Sequence, residues 1–185
     1  MREALPCDPT LLRYGADFVD FLSRFAPAQE LSYLPGVARL DRLWTEAHAA
    51  RDEAALDPSV VARLAPDEIA STVLHPHAAA RWMWFGDAPI YTVWSRNRTA
   101  ETGNVTTIDI DWKAEGALLV RPRDAVEWIA LDAAGCAFLE ACAAGATLAA
   151  AAEAALEVQA NADLAQLMST LLTAGAFGGM SVTKK

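Results

Sequence analysis

Two of the three histidines in this chain, His75 and His77, flank Pro76 in a segment rich in aromatic residues. Histidines two residues apart on a strand can reach the same metal ion, because alternate side chains lie on one face. However, a proline separates them, and no carboxylate or cysteine lies close by in the sequence. The pair therefore favours a structural bend over a metal site. His48, which follows Glu46 on a predicted helix, favours a hydrogen-bonded structural role over that of a general base.

The cysteines and serines give little support for nucleophilic catalysis. Cys136 and Cys142 lie six residues apart on one predicted helix, well off a common face, and neither has a base nearby in the sequence. Both are predicted to be small buried hydrophobic residues. Ser23, Ser71 and Ser95 lack the glycines of a nucleophile elbow, and there is no glycine-rich nucleotide loop. The sequence thus predicts no catalytic residue, no metal ligand and no cofactor in this chain.

The charge balance disfavours nucleic acid as a partner. The 24 acidic residues outnumber the 15 lysines and arginines, giving a net charge of -9, and affinity for phosphate backbones comes largely from basic side chains. Arginines occur only in pairs, Arg96 with Arg98 and Arg121 with Arg123. The three cysteines suit a reducing compartment, the N-terminus lacks the apolar core of a signal peptide, and the alanine-rich stretch at 133–155 is interrupted by glycine and glutamate. We therefore expect a cytoplasmic protein that contacts no membrane.

Proline and acidic residues predict the helices of the first half of the chain. Asp8-Pro9 is predicted to begin a helix that ends at Pro27, and a second helix begins near Pro35, so that the two form an antiparallel hairpin. Short helices are predicted to start at Asp57-Pro58 and at Pro66 by the same logic.

The segment at 71–85 is predicted to be extended, with Pro76 confined to an edge or a bulge. Asp87-Ala88-Pro89 is then predicted to begin another short helix. The polar stretch at 99–104 is the best candidate for a domain boundary.

After this boundary, the pattern predicts three strands followed by three helices. The strands are expected at Val105–Trp112, Gly116–Pro122 and Ala125–Leu131. Caps at Asp132, at Thr147, and at Asn161 or Asp163 begin the helices, while Gly145 and Gly175 end two of them. We therefore predict an α+β protein: a helical region at 1–98, then a small winged-helix-like domain at 99–185 with a three-stranded antiparallel sheet and three helices.

This order of elements resembles the PqqD-like peptide-recognition domains of peptide-modifying enzyme systems. The resemblance implies that a leader peptide adds a strand to the sheet edge and lies against the last helix. The residues that would bind the peptide are Val126, Glu127, Trp128, Ile129, Ala130 and Leu131 of the third strand, Leu164, Leu167, Met168 and Leu171 of the last helix, and Arg121 and Arg123, which could pair with acidic leader residues. The alternative is that these residues form the core of a winged-helix domain that binds nothing.

Motifs along the whole chain resemble the HvfC/BufC/MbnC family, and the short MbnC-type members most of all. They are Leu11–Leu22, Tyr33–His48, Leu74–Phe85, Ala88–Arg98 and Leu131–Ala141. The resemblance implies a non-catalytic partner subunit in a heterodimer with a TIM-barrel multinuclear iron oxidase, which holds the iron. Such pairs act on cysteines of a ribosomal precursor peptide. Their products are copper-binding oxazolone–thioamide groups, as in methanobactin, or related thio-heterocycles, as in bufferins.

Tryptophan and arginine residues crowd into the segment at 81–98, and both types are enriched in protein–protein interfaces. The predicted partner interface comprises Arg81, Trp82, Trp84, Phe85, Trp94, Arg96 and Arg98. Burial in the core is an equal alternative for the aromatic members. Two other functions stay open at this point: a DNA-binding winged-helix-type protein, which the charge opposes, and a stand-alone hydrolase or metal enzyme that uses the three histidines.

Overall fold

The computed structural model describes residues 15–99 and 109–182 and has a mixed α+β architecture, as predicted. A 3-10 turn at Ala26–Ala28 follows the first helix. In chain order, the helices and strands are α1 (Phe18–Arg24), α2 (Leu34–Ala49), α3 (Pro58–Ala62), α4 (Pro66–Ser71), β1 (Thr72–Pro76), β2 (Arg81–Phe85), α5 (Ile90–Thr99), β3 (Glu115–Val120), β4 (Glu127–Leu131), α6 (Ala133–Ala143), α7 (Leu148–Val158), α8 (Leu164–Thr173) and β5 (Phe177–Val182).

The larger sheet has three antiparallel strands in the order β2-β3-β4. This order corrects one prediction: the strand beside β3 is β2, and not Val105–Trp112. The first part of that segment lies outside the described residues, and Asp109–Trp112 are not in a strand. Asp111 and Lys113 instead form a turn closed by a 3.0 Å backbone hydrogen bond and a 2.9 Å ion pair. Trp112 is exposed there, so the apolar side of the alternating pattern is not buried against a core at this position.

Both faces of the β2-β3-β4 sheet are covered by helices. Leu118 and Leu131 pack with α6, α7 and α8 on one face, while Leu119 and Trp128 pack with α2 and α5 on the other. β4 therefore alternates as predicted, with Ile129 on the side of Leu131. The sheet is the middle of three layers, which accounts for the continuous apolar run in β3.

The smaller sheet pairs β1 with β5. The extended segment predicted at 71–85 is confirmed at 72–76 and 81–85, but a turn at 77–80 separates these two strands, which belong to different sheets. The register of the smaller sheet shifts between His75 and Pro76, which is where the proline was expected to force a bulge. Each sheet joins strands from before and after the predicted boundary at 99–104, since β1 pairs with β5 and β2 with β3.

The caps of the last three helices form as predicted. The side chains of Asp132, Thr147 and Asp163 each accept a hydrogen bond from a backbone N–H in the first turn of α6, α7 and α8. Gly145 and Gly175 follow α6 and α8 with φ of 79° and 73°, a backbone region that favours glycine. The cap of α8 is Asp163, which decides between the two candidates.

The first described helix presents its aromatic side chains to the surface. Gly15 has φ of 84°, which an α-helix cannot contain, so α1 begins at Phe18; the predicted start at Asp8-Pro9 lies outside the described residues. Phe18, Phe21 and Phe25 stack at centroid distances of 6.1 and 5.0 Å and are 51%, 43% and 41% exposed. We call these three rings the α1 phenylalanine row. In the ranges 15–99 and 109–182, no helix is long and apolar enough to cross a bilayer.

Candidate functional site

β4 is the last strand of its sheet, so one of its edges has no neighbouring strand in the part of the chain that the structure describes. Edge strands present backbone N–H and C=O groups that can pair with another chain. The backbone N–H of Ala130 donates a hydrogen bond to the hydroxyl of Tyr91 on α5. Ala130 therefore turns its backbone groups away from β3, and the alternation of an antiparallel strand gives Trp128 the same orientation. We call the outward backbone groups of Trp128 and Ala130 the β4 edge.

The hydroxyl of Tyr91 already occupies the hydrogen-bonding position of this edge at Ala130. Burial raises the pKa of Tyr91, the negative charge of Glu115 raises it further, and the hydrogen bond from Ala130 opposes both effects. The phenol therefore stays neutral over the physiological pH range. Its oxygen occupies the place that the carbonyl of an added strand would take.

A groove of about 520 Å³ lies between the end of the larger sheet and α8. Its sheet side is formed by Trp84 of β2, Glu115 of β3, and Ala130 and Leu131 of β4. Asp163, Gln166, Leu167 and Thr170 line the side of α8. The groove is therefore continuous with the end of the β4 edge at Ala130, and we call it the α8 groove.

The predicted peptide-binding residues of α8 do not share one surface. Leu167 lines the α8 groove, and Leu164 is partly buried at the start of the helix. Met168 lines a second groove of about 340 Å³, on the side of α8 that faces α3. Leu171 is 0% exposed and belongs to the core, so it supports the helix and cannot contact a bound peptide.

The side chains of β4 mostly point into the two core layers. Val126 is buried with α2 and α5, and the indole of Trp128 meets that of Trp94 edge-to-face at 5.2 Å. Ile129 and Leu131 pack on the opposite face. What β4 can offer a peptide is therefore its backbone, and the predicted strand addition needs no more than this.

The two arginines predicted to meet acidic residues have different surroundings. The side chain of Arg121 is only 12% exposed, donates to the carbonyl oxygens of Ala47 and Ala50 at the end of α2, and pairs with Asp52 at 2.7 Å. It anchors the end of that helix and is not available to a ligand, which corrects the prediction. Arg123 is at the surface and pairs with Glu127 of β4 at 2.7 Å.

The predicted partner interface is also divided. Phe85 and Trp94 lie in the core, where the indole nitrogen of Trp94 donates to Asp41 at 2.9 Å, so neither side chain can contact a partner. Arg98 stacks on Trp94 at 4.8 Å and on Trp44 at 4.5 Å. The interface prediction is therefore corrected for the two core residues.

Arg81 and Trp82 also bond within the fold, and three members of the predicted interface, Trp84, Arg96 and Arg98, are exposed. Arg81 pairs with Glu46 at 3.2 Å, and the indole of Trp82 donates to Glu140 at 3.3 Å. Arg96 is exposed on α5. Trp84 is 39% exposed and belongs to the wall of the α8 groove.

The three histidines have structural surroundings. His77 is buried, its Nδ1 accepts from the N–H of Ala79 at 3.1 Å, and its Nε2 therefore carries the proton and donates to the carbonyl of Glu53 at 2.9 Å. His75 instead bonds Ser181 of β5 at 3.0 Å. His48 stacks on a tryptophan ring at 5.2 Å. Within residues 15–99 and 109–182, no three His, Cys, Asp or Glu side chains are grouped to hold a metal ion.

Cys136 and Cys142 are buried, as predicted. Burial raises the pKa of each thiol to about 12, and the charges of Asp132 and Glu140 contribute at Cys136. Neither thiol is poised for nucleophilic chemistry.

The chain matches no protein-family model, no curated protein and no solved structure. Its function is therefore argued from the geometry of the β4 edge and the α8 groove. Sequence reasoning identified this strand and Leu167 but missed Tyr91, Asp132 and Asp163 as parts of the site. The only signal for Tyr91 was its place among the tryptophans and arginines at 81–98, and the two aspartates were recognised only as helix caps.

Proposed function

We propose that this chain binds a peptide in extended conformation along the β4 edge. The observation that carries the proposal is the pair of outward-facing backbone positions, Trp128 and Ala130, directly beside the α8 groove. Main-chain hydrogen bonds would set the register of the added strand, and the groove would receive side chains against Leu167. In this proposal the sheet and helices α6, α7 and α8 act as a winged-helix-type recognition unit.

We further propose that the peptide is the leader of a ribosomal precursor, and that a TIM-barrel multinuclear iron oxidase is the partner. The support is the resemblance of the motifs along the chain. In this heterodimer, located in the cytoplasm, the iron belongs to the partner. This chain holds the leader and so raises the effective concentration of the core cysteines at the iron site.

The α1 phenylalanine row is the surface that we assign to this partner. Three stacked aromatic rings that are each more than 40% exposed form an apolar surface of the kind that marks protein contacts. This assignment replaces the buried Phe85 and Trp94 of the sequence-based prediction. It also leaves the β4 edge free for the peptide.

The test of peptide binding uses a displayed library of random peptides, selected on the wild-type chain. Synthetic copies of the enriched peptides are then titrated into wild type, Ala130→Pro and Ala130→Val. Proline removes the outward N–H, places its ring carbon where the added strand would lie, and is tolerated on an edge strand, whereas valine keeps the N–H. We expect Ala130→Pro to weaken binding by at least about tenfold and Ala130→Val to bind like wild type.

Melting curves of both variants show whether the fold is retained. Equal binding by a folded Ala130→Pro variant would show that the peptide does not pair with the β4 edge. A library that yields no binding peptide would also count against the proposed function.

A further inference from the structure

The α8 groove has an acidic wall. Asp132, Asp163 and Glu115 all line it, and Lys113 is the one basic residue among its described lining residues. The ammonium group of Lys113 already pairs with Asp111 at 2.9 Å. The electrostatic field inside the groove therefore favours a positive group and disfavours a carboxylate or a phosphate.

Two of these carboxylates can still accept bonds from a ligand. Oδ1 of Asp132 accepts the N–H of Gly135 at 2.7 Å, and Oδ1 of Asp163 accepts the N–H of Gln166 at 2.9 Å. Each cap uses one carboxylate oxygen, and both side chains are exposed. Glu115 differs because both of its oxygens bond Thr92 at the start of α5, so it contributes charge but no ligand contact.

An aromatic ring forms the opposite side of the same groove. Trp84, Gly116 and Leu131 are neighbours across the three strands, since Gly116 pairs with both of the others. Gly116 has no side chain, and a Cβ atom there would lie 2.7 Å from the sulfur of Cys136. No side chain of β3 therefore separates the exposed indole of Trp84 from Leu131 at the end of the β4 edge.

We propose that the bound peptide carries a basic residue, arginine or lysine, whose side chain enters the α8 groove between Trp84 and the carboxylates of Asp132 and Asp163. This inference rests on the proposed peptide binding at the β4 edge. The aliphatic stem and the cation lie against the indole, and the charged end pairs with the two aspartates. The position in the peptide is fixed, because Ala130 belongs both to the edge and to the groove. The cation–π contact, the charge complementarity and the register thus select one residue type at one site.

The test uses peptides enriched on the wild-type chain from the random displayed library. We expect one position to be enriched in arginine and lysine. Replacing that residue with norleucine should weaken binding to the wild-type chain by about tenfold, and replacing it with glutamate should weaken binding further.

Matched protein variants separate the groove from the fold. Asp132→Asn and Asp163→Asn remove the charges but keep good helix caps, so the folded state should be retained. The double variant should lose the preference for a basic residue, and Trp84→Leu should reduce it. Glu153→Gln, on the exposed face of α7 and away from the groove lining, is the control for net charge and should bind like wild type.

The outcomes distinguish this inference from the proposed function. Enriched peptides that depend on the Ala130 edge but show no basic position, or whose basic residue is insensitive to the Asp132→Asn and Asp163→Asn pair, would overturn the inference and leave edge binding in place. In that case, the aspartates would act only as helix caps. Peptides that ignore the Ala130→Pro change would remove the proposed function, and the inference with it.

Discussion

At the scale of single residues, Tyr91 controls access to the proposed binding edge. Its hydroxyl accepts the outward N–H of Ala130, and the same N–H would bond a peptide carbonyl. An unpaired N–H on an edge strand favours unwanted pairing with other chains. The tyrosine therefore protects the free protein, and a bound peptide must displace it.

Replacing Tyr91 with phenylalanine should strengthen peptide binding. The variant frees the N–H of Ala130, and the hydrogen bond that a peptide must displace is worth about 1 kcal/mol, so we expect affinity to rise by roughly fivefold. Isothermal titration of an enriched peptide measures this change. Tyr33→Phe, at a tyrosine that meets Trp112 edge-to-face at 6.3 Å and does not line the groove, is the control. Weaker binding by Tyr91→Phe would mean that the hydroxyl contacts the peptide directly.

The buried thiols of Cys136 and Cys142 should not react with thiol reagents in the folded protein. They should also make the free energy of unfolding fall as the pH rises through the alkaline range. With a pKa of about 12, only roughly one thiol in 10⁴ is ionised at pH 8. In a Cys7→Ser background, Cys136 and Cys142 should react with a disulfide reagent only after unfolding.

Because burial raises the pKa of both thiols from about 9, their stabilisation of the folded state is complete below pH 9 and is lost as the pH rises toward 12. Between pH 9 and 12, the urea concentration at the midpoint of unfolding should fall more steeply with pH for the wild-type chain than for the Cys136→Ala/Cys142→Ala variant. Equal slopes, or rapid labelling of the native protein, would contradict this account.

At the scale of secondary-structure elements, local sequence predicted much of the chain. Asp132 and Thr147 mark helix starts, Pro76 marks a bulge, and the alternation of β4 follows from its residue pattern, because each depends on neighbours in the sequence. Which strands pair with each other does not depend on neighbouring residues in the sequence. The alternating segment ending at Trp112 was a reasonable strand candidate, but β2 holds the place beside β3 because it has residues to bury on both faces of the sheet.

Sequence also could not separate Trp84 from Trp94. Both occur in the same aromatic cluster, yet one lines an open groove and the other is 2% exposed. The difference arises from the three-layer packing, in which Trp94 of α5 lies against Trp128 and bonds Asp41 of α2, while Trp84 borders the open groove. The α8 groove is lined by residues of several elements that are distant in the sequence, so no local sequence pattern predicts it.

The two tryptophans should therefore respond differently to truncation. Trp94→Ala removes a buried indole together with its bond to Asp41 and should lower the free energy of unfolding by about 3–5 kcal/mol. Trp84→Ala should cost less than about 1 kcal/mol, because the ring is at the surface. Urea unfolding of both variants measures this difference, and equal effects would contradict the described burial.

The α1 phenylalanine row provides a separate prediction for the partner. Phe21→Asp/Phe25→Asp should weaken the proposed complex with an iron oxidase by at least about tenfold, because charges then face an apolar contact. Peptide binding at the β4 edge should be unchanged in this variant. Pull-down of the oxidase beside peptide titration measures both properties, and an intact oxidase complex would place the partner elsewhere.

At the scale of the whole molecule, the two sheets bind the early and late parts of the chain into one layered arrangement. β1 pairs with β5 and β2 with β3, so the helical first part contributes a strand to the sheet whose edge we assign to the peptide. The α1 row and the β4 edge share no residue. A subunit of this form can hold a leader peptide on one surface and its partner on another.

Co-expression with a TIM-barrel iron oxidase, the proposed partner, tests this arrangement. Size exclusion should give a one-to-one complex, and metal analysis should find the iron in the oxidase. The isolated chain, purified in parallel, is the control for metal carried by this subunit. A chain that elutes alone in the presence of the oxidase would contradict the heterodimer, but it would not affect peptide binding.

The most direct test of the central claim is amide hydrogen exchange at β4 with and without a saturating enriched peptide. The N–H of Trp128 faces the open edge, so its exchange should slow by at least about tenfold when a peptide strand pairs there. Ala130 should change less, because Tyr91 already accepts its N–H in the free protein. Protection confined to other elements, with Trp128 exchanging at its free rate, would contradict strand addition at the β4 edge.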